Sequence, residues 1–458
     1  MTIKRAVSFV LLLIIMVSCL ALPADCATFT VNENLTASTV YLLNMDTDTV
    51  VVDINSDKKV YPASTTKIMT YIVTVDQVED IKGTKVKIKQ EVLDKLIGTD
   101  SSTAGLQYFV DEEVTVYDLL VALMVKSGND AAMVLADYIG NGSIQKFVDL
   151  MNEKAEDLGC TNTHFMNPHG LHNEDHYTTA QDLALMSRYA LTLPDFNEIT
   201  NTTTAYLSVD KEKNYPLITT NYLIDETRGG DFYYPYAKGI KTGTTDEAGY
   251  CLVSTASHNG YTYMAVVLGS PCVDKNGREI ETNGAMQDTI KLYDWAFENL
   301  ELKSVIDEQT PVCEIPIEFA WNQDKLLLIP QGSFSAILPK DVESTSIDIV
   351  TSIPESIPAP VEEGSVIGTA TISYANQELT TVDLIASETV ERSTILYYMD
   401  YAKRILKSRG MIAAVCVVVF LLIIYIILTI AYNKKKSRNR RMKDKKRRKR
   451  KSGGSSSR

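Results

Sequence analysis

Pro62-Ala63-Ser64-Thr65-Thr66-Lys67 runs without a break into Ile68-Met69-Thr70-Tyr71-Ile72-Val73-Thr74-Val75. From Ser64 to about Val78 this stretch predicts a helix. Its apolar residues (Ile68, Met69, Ile72, Val73, Val75) surround much of the circumference, so the helix belongs in the middle of a domain. Ser64 and Lys67 stand three apart at its start and share one face. The positive end of the helix dipole favours negative charge developing at Ser64. A serine hydroxyl becomes a nucleophile when a base takes its proton. A lysine is such a base when burial or a neighbouring cation depresses its pKa. Taken alone, Ser-x-x-Lys is equally a serine capping a helix.

Working outward, residues 40–45 and 50–54 flank a turn at 46–49 and read as a β-hairpin. Helical patterns cover 116–126, 129–140, 143–158 and 179–192. After Gly239 the period shortens to two: 250–254 and 261–268 read as strands joined by a turn at His258-Asn259-Gly260. A helix from about Thr282 to Leu300 closes this unit. From about Leu302 to Val390, short β-rich runs (326–329, 346–350, 369–373) alternate with Pro, Gly and Asn turns, the pattern of a small all-β domain. Residues 393–407 are again helical. No internal repeat is visible.

The chain has 458 residues, 45% of them hydrophobic, and a net charge of −13. This length excludes a small stapled scaffold, and the apolar content excludes a mostly disordered chain. The charge is unevenly divided. Residues 433–458 hold 15 Lys/Arg and one Asp, a net +14; residues 411–432 hold no charged side chain; residues 1–27 carry +1; and 28–410 therefore carry −28. Lys4-Arg5, the apolar run 6–17 and the small residues up to Ala27 have the layout of a secretory signal peptide, with a cleavage point after Cys26. An uncleaved N-terminal anchor is the alternative. The 22 residues 411–432 are long enough, as a helix, to span a hydrocarbon core of about 30 Å. Lys434-Lys435-Lys436 directly after them places the tail in the cytoplasm and residues 28–410 outside. A basic block beside a membrane meets anionic lipid or serves as a stop-transfer signal, so no nucleic-acid partner is expected. Of the seven cysteines, four (Cys160, Cys251, Cys272, Cys313) fall in the exported part. Their spacing is wide, free thiols are expected, and no His/Cys cluster points to a metal.

Two further clusters carry chemistry. In Ser127-Gly128-Asn129, after a predicted helix, a hydroxyl and an amide two residues apart can project into one cleft, the first to relay a proton and the second to hold a substrate amide. Alone it is also a helix-cap signal. Lys241-Thr242-Gly243, followed by Thr244, opens a predicted strand. Lysine offers a cation, threonine a hydroxyl, and glycine room for a substrate backbone to approach. An edge strand here can pair with an extended peptide. Lys241 close to Lys67 would depress the pKa of the latter. Alone, this too is only a lysine at a strand start.

In the order Ser-x-x-Lys, Ser-x-Asn, Lys-Thr-Gly, the three clusters resemble the penicillin-recognising serine acyl enzymes. Residues 61–70, 126–132, Asn167-Pro168-His169-Gly170-Leu171 and 238–256 are similar to the D-alanyl-D-alanine carboxypeptidases among the low-molecular-weight penicillin-binding proteins, the S11 serine peptidases. The resemblance implies an α/β catalytic domain of the β-lactamase/DD-peptidase type at 28–300, an antiparallel sheet flanked by helices. The all-β domain at 301–392 is similar to the accessory domain that follows in that family. A helical linker (393–410), a C-terminal transmembrane helix (411–432) and a basic tail (433–458) complete the chain. The family's usual anchor is an amphipathic helix lying on the bilayer; this chain has a true span instead.

By the same resemblance, Ser64 attacks the penultimate D-Ala carbonyl, Lys67 accepts its proton, and Ser127 passes a proton to the leaving nitrogen. Asn129 orients the peptide amide. Lys241, Thr242 and Thr244, with Gly243 between them, hold the terminal carboxylate. The N–H groups of Ser64 and Thr244 form the oxyanion hole. No metal or organic cofactor is implied. The implied partners are peptidoglycan stem peptides, β-lactam antibiotics and the membrane. His169 and His172 invite a catalytic-histidine reading, but serine/lysine chemistry needs none. A β-lactamase is the first rival; it would carry a deacylating Glu-x-x-Leu-Asn, which is missing between Ser127 and Lys241. A non-catalytic wall-binding protein on the same fold is the second, opposed by intact Ser64, Lys67 and Lys241. Transpeptidation by the same acyl-enzyme stays open.

Overall fold

Alternating apolar residues in three consecutive strands build the centre of the protein. The computed structural model describes residues 29–452, apart from 30, 32, 210–214, 343–345 and 376; the expected signal peptide lies outside the described residues. Strands β1 (Thr39–Asn44), β2 (Thr49–Ile54), β3 (Ala237–Thr245), β4 (Gly249–His258) and β5 (Tyr261–Ser270) form one antiparallel sheet in the order β2-β1-β5-β4-β3. Along β5, Met264, Val266 and Leu268 face one hydrophobic cluster while Tyr263, Ala265 and Val267 face another. This is the period-two alternation of a strand buried on both faces.

The first face is covered by α1 (Lys67–Gln77), α2 (Val116–Met124), α3 (Asn129–Ile139), α4 (Ile144–Asp157) and α5 (Ala180–Leu191). Ile68, Met69, Tyr71, Ile72 and Val73 are all buried, so α1 is the central helix that its composition predicts. Thr115, Ser143 and Thr179 cap α2, α4 and α5 by accepting from the N–H three residues on, each such cap contributing about 1 kcal/mol. The second face is covered by α6 (Gly284–Asn299), which buries Met286, Leu292, Tyr293 and Ala296.

The chain divides into two compact units. The first runs to Asp307 and takes in Ser333–Val350 and Thr371–Thr381 as well. Within it, β6 (Leu300–Ile306) pairs antiparallel with a later strand, Phe334–Pro339, whose Ile337 joins the cluster under α6. The second unit has its own core. There β7 (Cys313–Glu318) and β8 (Lys325–Pro330) pair antiparallel, Ile357–Pro358 runs parallel to β7, and Leu384–Ala386 lie antiparallel to β8. Ile315, Leu326, Leu328, Ala370, Leu384 and Ala386 fill it. Two helices follow, α7 (Thr394–Lys407) and α8 (Arg409–Ser452). α8 is long and apolar enough to cross a membrane.

One buried carboxylate ties the segment just before β1 to α6. Asp288 is fully buried, and its Oδ2 accepts from Thr36 N (2.7 Å), Thr36 Oγ1 (2.9 Å) and Ala37 N (2.8 Å). Removing the carboxylate strands these donors, at a cost of about 3 kcal/mol. Asp288→Ala is therefore expected to lower the melting temperature of the detergent-solubilised protein by several degrees; thermal unfolding that leaves it unchanged would contradict this role.

Candidate active site

Ser64 does not lie inside the central helix. Ala63–Thr66 form a 3-10 turn, and the α-helix begins at Lys67. Ala63 sits at φ +47°, a left-handed conformation rare for a residue with a Cβ. Three contacts hold it there. Thr65 N and Thr65 Oγ1 donate to Pro62 O, and Thr66 Oγ1 donates to Ala63 O at 2.8 Å. Gly170 packs directly against Ala63 O; a Cβ at 170 would come within 1.8 Å of it, and the φ of +91° also favours glycine. The turn thus presents Ser64 partly exposed while Ala63, Thr65 and Thr66 are buried.

Lys67 is fully buried and meets three oxygens: Ser64 Oγ at 2.8 Å, Asn129 Oδ1 at 2.7 Å and the main-chain oxygen of His169 at 2.8 Å. Burial holds its pKa well below the ordinary lysine value; Lys241 lowers it further, and Asp130 pulls the other way. A neutral amine here keeps two N–H bonds and one lone pair. Asn129 Oδ1 and His169 O can only accept, so they take the two N–H bonds, and the lone pair is left toward the Ser64 hydroxyl. Asn129 Nδ2 donates to Ser101 Oγ at 3.1 Å. Ser127 lies two residues before Asn129, buried, at φ +62° between α2 and α3.

β3 brings the third cluster. The register with β4 shifts between Lys238 and Lys241, a bulge that re-aims the strand just before the lysine. Asn201 Oδ1 accepts from Gly239 N and Asn221 Nδ2 donates to Gly239 O, which anchors this bulge. Lys241 is buried, its ammonium donates to Thr242 O at 3.0 Å, and burial lowers its pKa to about 7. Thr244 is exposed. The sequence reading reserved the space at Gly243 for substrate; the chain's own backbone occupies it. A Cβ there would lie 2.9 Å from Ser64 N and 3.0 Å from Pro62 O. The missing side chain lets the strand close on the Ser64 turn.

Several residues at the site carry no signal in the sequence. Thr220 shares a 2.5 Å hydrogen bond with Thr242 through their hydroxyls. Asp130 accepts from Ala104 N and Leu106 N and so fixes the loop carrying Ser101 to the start of α3. His176 Nδ1 accepts from Met166 N, so its Nε2 carries the proton and donates to Thr66 Oγ1 at 2.8 Å. His169 meets Lys67 through its main-chain oxygen, while its ring Nδ1 accepts from Leu171 N. His172 packs edge-on against Tyr61. The sequence singled out His169 and His172; Thr220, Asp130 and His176 meet their partners Thr242, Leu106 and Thr66 across 22 to 110 residues of chain.

The model of the D-alanyl-D-alanine carboxypeptidase family matches residues 27–272, more than half the chain. The chain belongs to the S11 family of D-alanyl-D-alanine carboxypeptidases. The model of the penicillin-binding protein 5 C-terminal domain matches 301–392. The D-alanyl-D-alanine carboxypeptidase DacF of Bacillus subtilis is 29% identical over 365 residues, covering 79% of this chain and 88% of the relative. The D-alanyl-D-alanine carboxypeptidase of Streptomyces sp. strain K15 is 33% identical over 278 residues, covering 60% and 94%. Among solved structures, the carboxypeptidase DacD of Francisella tularensis superposes with a TM-score of 0.61 at 26% identity, covering 82% of this chain and 98% of that one. This family site is a low-molecular-weight penicillin-binding protein cleft in which all three motifs converge.

His169 and His176 also set an acid limit on the fold. Burial pulls both pKa values down to about 3, against 6.5 unperturbed. The unfolded chain therefore binds protons first as pH falls. The stability held above pH 6.5 is lost toward pH 3, at about 1.4 kcal/mol per pH unit for each ring. The melting temperature is expected to drop between pH 7 and pH 5, with a shallower slope in His176→Gln; equal slopes in thermal melts would remove His176 from this account.

Proposed function

We propose that this chain is a serine carboxypeptidase that removes the terminal D-alanine from peptidoglycan pentapeptides through an acyl-enzyme on Ser64. The observation that carries the reading is the hydrogen-bonding of Lys67 Nζ: two fixed acceptors occupy its N–H bonds, and the Ser64 hydroxyl faces the remaining position. In the first half-reaction Lys67 takes the Ser64 proton as Oγ bonds to the carbonyl carbon of the penultimate D-Ala. The oxyanion rests on the N–H groups of Ser64 and Thr244, roughly 3 kcal/mol for each such donor. The C–N bond then breaks, and Ser127 delivers to the leaving nitrogen the proton returned by Lys67. In the second half, water attacks the ester, Lys67 takes its proton, and Ser64 Oγ leaves protonated. Lys241 and Thr242, with Thr220 beside them, hold the terminal carboxylate; Asn129 both fixes Lys67 and faces the substrate amide.

A β-lactam presents a carbonyl and a carboxylate in the same relation, so it acylates Ser64 as well. The expected division is a catalytic domain at 28–300, an accessory domain at 301–392, a linker at 393–410, a single span at 411–432 and a cytoplasmic tail at 433–458. Support for an external active site comes from the Lys/Arg cluster that follows the apolar stretch within α8. The tail's +14 suits the anionic inner leaflet. A solved Streptomyces K15 relative is titled a DD-transpeptidase, so an acceptor amine can compete with water; mass spectrometry of digested pentapeptide is expected to find free D-alanine and shortened peptide as the main products.

Incubation of the whole protein with benzylpenicillin is expected to raise its mass by one penicillin, and Ser64→Ala to abolish the adduct; an adduct that persists in the variant would move the nucleophile elsewhere. The pH profile supplies a second check. Lys241 carries its charge below about pH 7 in the free enzyme and loses it above. kcat/KM for D-alanine release is therefore expected to fall on the alkaline side from about pH 7, and Lys241→Arg, whose side chain stays charged, to flatten that limb.

A further inference from the structure

Two tyrosines far apart in the chain meet in the open. Tyr108 and Tyr215 are 55% and 62% exposed, yet their ring centroids stand 5.6 Å apart with the planes at 49°. Holding two exposed side chains together costs conformational entropy, so such a contact persists only where both segments are anchored. Tyr108 sits in a 3-10 turn, Leu106–Phe109, whose Leu106 and Phe109 are buried. Its ring folds back over Gly105, where a Cβ would meet it at 3.5 Å. The residues before it are fastened to the wall that carries Ser127 and Asn129. Ala104 packs so closely on Gly128 that a Cβ there would lie 2.9 Å from Ala104 Cβ. Asn129 N donates to Ser102 O, and Asp130 accepts from Ala104 N and Leu106 N.

Tyr215 belongs to the opposite wall. It leads into Leu217–Ile218, which pairs antiparallel with Thr204–Ala205 and buries Leu217. Just after this pair, Thr220 shares its hydroxyl hydrogen bond with Thr242, and Asn221 Nδ2 donates to Gly239 O. The segment therefore borders the first half of β3, and the ring contact joins the two walls. The direction of a bound peptide says which end they close. With the terminal carboxylate at Lys241 and Thr242 and the scissile carbonyl at Thr244, the leaving residue lies toward the start of β3. Thr220 and Asn221 border that same end. A leaving residue with a methyl side chain needs no room beyond its carboxylate, whereas a long side chain has to pass between the walls.

We propose that the Tyr108–Tyr215 contact bars the leaving-group end of the cleft and determines which leaving residues the enzyme accepts. D-alanine departs freely. A leaving residue whose side chain is long, above all one that carries a second stem peptide, meets the rings. The pair thereby favours trimming of single stem peptides over cutting of cross-links. The bond chemistry is the same for every leaving residue: the amide C–N bond breaks, the acyl carbon stays on Ser64 Oγ, and the departing nitrogen takes a proton through Ser127. Tyr108 and Tyr215 act on this step only by the space they occupy. The inference rests on the carboxypeptidase reading, since that reading supplies the peptide's direction along β3.

The test uses the full-length protein in detergent and three substrates that differ only in the leaving residue. One releases D-alanine, one D-norleucine, and one is a cross-linked dimer whose leaving residue carries a second peptide on its side chain. The parent protein is expected to lose kcat/KM in that order. Tyr108→Ala with Tyr215→Ala should raise kcat/KM for the dimer by about tenfold, the worth of one aromatic pair, and leave D-alanine release unchanged. Tyr108→Phe with Tyr215→Phe keeps both rings and should keep the parent's discrimination. Benzylpenicillin has no extended leaving residue, so its acylation rate should be the same in the parent and both double variants, which also verifies their folding. Equal kcat/KM on the three substrates in the parent, or an alanine variant that cuts the dimer no faster or more slowly, would overturn the barrier. A parent protein that is acylated by penicillin but releases D-alanine from no peptide would overturn the carboxypeptidase reading, and the barrier with it.

Discussion

The structure depends on a lysine held without water. Lys67 is fully buried beside a second buried lysine, Lys241, and no carboxylate forms an ion pair with either among the described residues. A buried ammonium with no counter-ion is costly, and the protein relieves the cost by lowering the pKa. The direct partners of Lys67 serve that state. Asn129 and His169 offer acceptors that suit an amine, and Lys241 adds repulsion. Asp130 is near enough to favour the charged form, but burial raises its own pKa, and its oxygens are taken by main-chain N–H groups. The arrangement leaves Lys67 a neutral amine beside the Ser64 hydroxyl.

The strain before Ser64 follows from the same need. Setting a serine one turn from a buried lysine while leaving its hydroxyl open requires the chain to turn sharply just before it. Ala63 takes that turn at positive φ, and the surroundings over-determine it: Thr66 from within the turn, Gly170 from the 167–171 loop, and His176 through Thr66. Gly243 completes the enclosure from the other side. Its lack of a side chain lets two pieces of the same chain, β3 and the Ser64 turn, close on each other.

The uneven charge of the chain now has a structural setting. The basic residues cluster in the C-terminal half of α8, directly after its apolar half, and the acidic excess belongs to the residues before it. Within the first unit, Asp288 shows an acidic residue used for folding, while Asp246 and Glu247 stay exposed in the turn after β3.

Much of the protein could be read from the sequence alone. Period-two and helical patterns are local, and they located the hairpin, β4, β5 and the helices around α1 to within a few residues. Ser64 with Lys67, Ser127 with Asn129, and Lys241 with Thr242 are short-range patterns whose order was specific to one family. What the sequence could not supply was anything that depends on two distant segments touching. The hydroxyl pair of Thr220 and Thr242, the loop clamp of Asp130, the support of Ala63 by His176, and the true neighbour of Gly243 exist only after the sheet and helices have packed. The break between the 3-10 turn and α1 belongs with them. The helical periodicity runs on through Ser64, while the hydrogen bonds of Thr65 and Thr66 and the close approach of Gly170 and Gly243 hold the Ala63–Ser64 backbone in the tighter turn. The sequence by itself named the groups that the fold gathers around Lys67; the tertiary structure decided their burial and hydrogen bonding, because both depend on neighbours far away along the chain.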